Sequence, residues 1–185
     1  LKWLKSKLSP SQDFNEQQAF VITFDDVSLD TFRYARPILD QFNVKAYFFV
    51  VEANLGKRLW IDNYFLWISK VPPGRYKILN EEFKISDLQS RMKAHYILWN
   101  YSKGQHNIEN LLAAFDEAFA FEKIKVDKAL NSRLTTVGID EIQTLKNEGH
   151  FVGFHSKSHQ RLNQLSIDEL QEECTPTNDT LYNCE

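Results

Sequence analysis

The sequence predicts an α/β fold built on a parallel sheet, and three observations carry that expectation. Residues 19–24 form a short apolar run, rich in strand formers, that ends in Asp25-Asp26. Residues 44–51, Val44-Lys45-Ala46-Tyr47-Phe48-Phe49-Val50-Val51, read as a second buried strand. Between them, residues 28–42 carry Leu29, Phe32, Ile38, Leu39 and Phe42 at helical spacing. Strand, helix and strand within about 35 residues make a βαβ unit, whose strands must run parallel.

Each element has a local reason. Pro37 lacks an N–H and belongs in a first turn rather than a helix interior. Residues 56–134 read as a helical insert between parallel strands. A short helix is predicted over 62–70 and a turn at Pro72-Pro73-Gly74. Longer helices follow over 86–101 and 108–130, with Leu111, Leu112, Phe115, Phe119 and Ile124 on the core side. The insert holds Trp60, Trp67 and Trp99, which read as core before they read as sugar platforms. Trp60 and Trp67 are the two that would wall a groove. Residues 139–147 form another helix, closed by Glu148-Gly149. Residues 150–154 form a third strand that ends at His155. Ser166 with Glu169 is a capping box for a last helix, and the tail over 175–185 is polar.

Composition bounds the class. The 185 residues are 43% hydrophobic and 25% charged, which suits one soluble globular domain over residues 1–185. A net charge of −3 argues against a nucleic-acid partner. No apolar run approaches the ~20 residues that span a bilayer. Leu1-Lys2-Trp3-Leu4-Lys5 has no apolar core of a signal peptide. Localisation is left open, with the cytoplasm slightly favoured. Cys174 and Cys184 are too few for a disulfide framework and are expected as free thiols.

The chemistry gathers where strands end. Parallel strands with crossover helices place their C-terminal ends on one face, and sites form there. Asp25-Asp26 and His155 both fall at such ends. The spacing of His155 and His159 predicts two imidazoles on one side of a helical turn. Two imidazoles and one carboxylate suit a divalent metal with open coordination positions. Taken singly the motifs are weak: Asp-Asp after a strand is commonly a turn or a helix N-cap, and His-x-x-x-His arises by chance. Their concurrence on one sheet face is what points to a site. His95, His106 and His150 read as ordinary histidines, and the insert is expected to supply no ligand.

These residues resemble a family. Thr23-Phe24-Asp25-Asp26 resembles the first motif of the polysaccharide deacetylases (carbohydrate esterase family 4, the NodB-type domain). Val44-Lys45-Ala46-Tyr47-Phe48-Phe49-Val50 resembles its second strand. Gly149-His150-Phe151-Val152-Gly153-Phe154-His155-Ser156-Lys157-Ser158-His159 resembles its second motif, and Leu162, Leu165-Ser166 and Glu169-Leu170 continue the likeness. The resemblance implies a distorted (β/α) barrel and a hydrolase that removes acetyl groups from sugars or amino sugars of a poly- or oligosaccharide. It implies Asp25 as general base, Asp26, His155 and His159 as ligands of a divalent metal, zinc first, and Ser156 and Ser158 as supporting residues. The oxyanion is expected to meet the metal and a backbone N–H near Tyr47 or a neighbouring loop.

Two departures shape the expectation. Val27 stands where the family has glycine, a residue that resists the backbone freedom glycine allows. The family's later motifs, with the acid that protonates the leaving amine, are not seen, so the barrel is expected to be incomplete and the chain to turn over poorly alone. Two other readings use the same residues: a catalytically impaired carbohydrate-binding module, and an iron-dependent oxygenase, whose β-sandwich would not show βαβ order.

Overall fold

In the computed structural model, residues 21–104 and 108–182 are described. The chain runs β1 (Thr23–Phe24), a π-helical turn (Thr31–Ala35), α1 (Arg36–Gln41), β2 (Tyr47–Val50) and α2 (Trp60–Lys70). It continues through β3 (Gly74–Ile78), β4 (Glu81–Ile85), α3 (Leu88–Gly104), α4 (Ile108–Ala118) and α5 (Lys128–Leu134). The last elements are α6 (Ile139–Asn147), β5 (Phe151–Phe154) and α7 (Ile167–Glu173). No described helix is long and apolar enough to cross a membrane.

The βαβ reading holds. β1, β2 and β5 form a parallel sheet in that order, with Thr23 opposite Tyr47, Phe24 opposite Phe48, and Phe48 opposite Val152. Alternation sorts their side chains. Phe24, Phe48, Val50 and Val152 share the face that packs on Leu39 of α1 and on Ile142 and Leu145 of α6. Phe24 and Phe48 stack there at 5.0 Å between ring centroids. The opposite face carries Thr23, Tyr47, Phe49 and Phe151; Tyr47 and Phe151 stack at 4.7 Å and stay exposed. Gly153 lies opposite Phe49, and a Cβ there would stand 2.5 Å from Phe49 Cδ1. The bare glycine lets that ring lie across β5, beside His155 at 6.4 Å.

Pro37 falls in the first turn of α1, as its missing N–H demands. The wider π turn ahead of it carries the chain into the helix without the hydrogen bond that proline removes. Gly149 takes a positive φ of 79° and closes α6. Ser166 Oγ accepts the Glu169 N–H, and Glu169 Oε2 accepts the Ser166 N–H, so the capping box of α7 is formed on both sides.

The insert differs from its expectation in two ways. Residues 74–85 are an antiparallel hairpin, β3 with β4, not a turn leading into helix. The signal was the period-2 placement of Tyr76, Ile78, Phe83 and Ile85, all of which face inward. The helix predicted over 108–130 breaks into α4 and α5. Asp116 Oδ1 accepts the Phe121 N–H and ends the first run; Asp127 Oδ1 accepts the Leu130 N–H and caps the second. The insert has a core of its own. Trp67 is fully buried, stacks on Phe115 at 4.6 Å, and donates its indole N–H to the carbonyls of Phe115 and Phe119. It is therefore not a groove wall.

The insert returns to the sheet beside β1. Val137 N–H donates to Val27 O, Leu29 N–H to Thr135 O, and Thr136 N–H to Lys57 O. The C-terminal segment is also tied down: Glu52 accepts the N–H groups of Thr177 and Asn178, and Leu181 and Tyr182 are buried against the sheet's core.

Candidate metal centre

Asp26 follows β1 and His155 follows β5, whose ladder extends one step further through His155 N–H to Val50 O at 2.9 Å. One ligand atom from each of Asp26, His155 and His159 lies within 4.8 Å of the others. Asp26 Oδ1 stands 3.2 Å from His159 Nε2 and 3.5 Å from His155 Nε2. Yet Asp26 Oδ1 is buried and makes no hydrogen bond. A carboxylate oxygen this close to two ring nitrogens, yet off hydrogen-bond geometry with both, is stabilised by a cation that all three atoms can share, or by a proton on a ring. Ligands about 2.1 Å from a tetrahedral zinc stand about 3.4 Å apart, which is the spacing found. The three residues fit a divalent cation.

The backbone that achieves this is not the predicted helical turn. Residues 155–159 are a loop, and Ser156 and His159 both adopt positive φ, 65° and 60°. Asp26 does so as well, at 59°. Non-glycine residues in this region are strained, and they concentrate at functional sites. The unusual conformation falls on Asp26 rather than on the following residue. Val27 consequently needs no glycine-like freedom: it is fully buried and its carbonyl accepts Val137 N–H at 2.9 Å.

Glu173, at the end of α7, holds the loop. It is 4% exposed, and its carboxylate accepts Ser158 Oγ and Ser158 N–H, each at 2.7 Å, and Gln160 N–H at 3.3 Å. Burial raises its pKa, but these bonds and one from Ser156 outweigh it and hold the carboxyl below the ordinary range. Ser158 is thus tied to Glu173 in the loop between the two histidines, and Ser156 Oγ accepts the His159 N–H at 3.0 Å. From sequence, Glu173 in a Glu-Glu pair reads as solvated surface; only the fold turns it inward. Glu173→Gln keeps the volume but replaces one acceptor oxygen with a donor. It is expected to destabilise the protein by about 1–3 kcal/mol in urea unfolding.

Asp25 is exposed at the end of β1 and lies outside the three-residue cluster. The N–H of Tyr47 donates to Ile22 O at 2.9 Å, so it is not free to hold an oxyanion. Asp62, in the first turn of α2, is pushed up to about 6 by burial and then by the charge of Asp26. A hydrogen bond from the Leu59 backbone and the charges of Arg58 and Arg133 oppose the shift. Asp62 and Phe65 line an apolar groove of about 530 Å³. A second cavity of about 420 Å³ opens beside His155 and His159.

Asp40, Glu148 and His150 form a second close group, but its chemistry does not suit a metal. The Ala46 N–H donates to His150 Nδ1, so in the neutral ring Nε2 carries the proton. That N–H faces Asp40 Oδ1 at 3.6 Å, while Arg36 holds Glu148 at 2.7 Å. His150 is a buried core histidine, as the sequence suggested. Burial, then Lys45, lowers its pKa, against the charges of Asp40 and Glu148. A depressed folded pKa stabilises the protein above the unfolded value of about 6.5, and that contribution is lost as pH falls through the folded value. Chelator-treated protein is expected to lose stability below about pH 6.5, with the slope reduced in His150→Gln. An unchanged slope in the variant would assign the loss to other groups.

His95 meets Tyr64 Oη at 3.0 Å and is not part of the three-residue cluster; His106 and Cys184 lie outside the described residues. Cys174 is a free, exposed thiol.

The family model for polysaccharide deacetylases matches residues 13–184. No curated protein and no solved structure gives a significant match.

Proposed function

Since the chain belongs to the polysaccharide deacetylase family, we propose that it is a metal-dependent hydrolase removing acetyl groups from the amino sugars of a poly- or oligosaccharide. The observation that carries the reading is the convergence of Asp26 Oδ1 with the two imidazole Nε2 atoms on a point no hydrogen bond occupies. Asp26, His155 and His159 hold the cation, and the family makes zinc the first choice for it. When bound, such an ion polarises the acetyl carbonyl and lowers the pKa of water.

The chain's own residues do the rest. Asp25 is a carboxylate next to a ligand but outside the ligand set, and it takes the proton of the attacking water. The Ser156 and Glu173 contacts hold the backbone of the loop that carries His159 without entering the reaction. The sheet itself supports a barrel reading: helices cover one face, while Tyr47 and Phe151 remain exposed on the face a closed barrel would fill.

The test is acetate release from acetylated chito-oligosaccharides by the full chain, with zinc or cobalt added and then chelated. Slow release that disappears on chelation and returns with metal is expected. Metal binding with no release would favour the binding-module reading, and release that survives chelation would refute the mechanism.

A further inference from the structure

Among the described residues, none of the insert joins the Asp26, His155 and His159 group, but one of its side chains reaches the loop that carries the two histidines. Trp60, the first residue of α2, donates its indole N–H to His159 O at 2.8 Å. His159 is the ligand in the left-handed region, at φ 60°. Its backbone is therefore fixed on both sides, by Ser156 Oγ on the N–H and by the Trp60 indole on the carbonyl. A residue held at positive φ relaxes unless its surroundings over-determine it.

The indole is itself held. Trp60 stacks on Trp99 of α3 at 6.4 Å and 22°. Arg161, two residues beyond His159, lays its guanidinium 4.9 Å from the Trp99 ring and 5.5 Å from the Trp60 ring. The same guanidinium donates to the buried Ser102, to its carbonyl at 2.8 Å and its hydroxyl at 3.3 Å. Ser102 Oγ in turn donates to Trp99 O at 2.8 Å. Two helices of the insert and the metal loop thus close on one another around a single indole.

We infer that Trp60 is a positioning residue of the metal centre, its indole N–H holding His159 in the conformation that aims Nε2 at Asp26. The inference rests on the metal reading above. It gives the insert a function in building the centre, one that a search for ligands in the insert does not reveal.

The test uses the full chain and cobalt or zinc alone. Trp60→Phe keeps an aromatic ring and removes the donor; Trp99→Phe keeps the stack and leaves the donor in place. Trp60→Phe is expected to weaken metal binding by about 10–100-fold, the usual effect of losing a hydrogen bond that orients a ligand. It is also expected to change the visible absorption of the cobalt form, with far-ultraviolet circular dichroism preserved. Trp99→Phe should stay within about threefold of the parent and keep its cobalt spectrum, well short of that range. Equal affinity and spectrum in Trp60→Phe and the parent would overturn the inference while leaving the metal site standing. A parent chain that binds neither ion would sink both. Should Trp60→Phe fail to fold, the parent decides by nuclear magnetic resonance. The Trp60 indole proton must exchange slowly and shift when zinc is added, and a fast-exchanging, unshifted signal would overturn the inference.

Discussion

His155→Ala and His159→Ala are each expected to abolish stoichiometric binding of zinc or cobalt. Each removes one of two nitrogens from a three-residue set, and no fourth residue among those described completes it. His150 is buried, with its Nδ1 accepting the Ala46 N–H and its Nε2 facing Asp40, so it cannot substitute. Structural zinc sites contribute about 10–16 kcal/mol of apparent binding energy at neutral pH, so losing a third of the ligands takes affinity out of the working range. Metal analysis of the purified parent and both variants settles the point. Equal metal content in all three would reject the assignment. His95→Ala is the control, since His95 bonds Tyr64 in the insert and should leave metal content unchanged.

Asp25→Asn and Asp26→Asn are expected to separate sharply despite being neighbours. Asp25→Asn should lower any acetate release by about 10²–10⁴-fold, the usual worth of a general base, with metal content nearly intact. Asp26→Asn should strip the metal. Asn tolerates the left-handed backbone that Asp26 adopts, so this loss reports the charge rather than the conformation. If Asp25→Asn instead strips the metal and Asp26→Asn does not, the two roles are exchanged.

The parts of the fold legible in the sequence are those with local causes. β1, β2, α6, β5 and α7 follow from apolar runs, a glycine cap and a capping box; β1 occupies only Thr23–Phe24 at the end of its expected run, of which residues 19–20 lie outside the described residues. The insert was legible as helical where Leu111 and Phe115 repeat at a helical period. It was not at residues 74–85, where a five-residue alternation on each strand is too short to stand out beside helices. The ligand candidates were legible because ligand type and strand-end placement are properties of sequence order. How His155 and His159 come together was not. Four-residue spacing suggests a helical turn, and the structure uses a loop whose shape depends on Glu173 and Trp60, partners 14 and 99 residues away from His159. Such support is invisible to spacing because it is made by packing.

The positive φ angles of Asp26, Ser156 and His159 bear on how this centre could be moved. Anyone transplanting it onto another scaffold would find that copying a carboxylate and two imidazoles into matching positions is insufficient. Here Asp26 and His159 reach their positions from positive φ, which a regular helix or strand does not provide. The portable unit is a pair of kinked strand ends together with the braces that keep them kinked: the Val27–Val137 pairing, the Glu173 carboxylate and the Trp60 indole. In grafting terms the motif is about backbone handedness first and residue identity second.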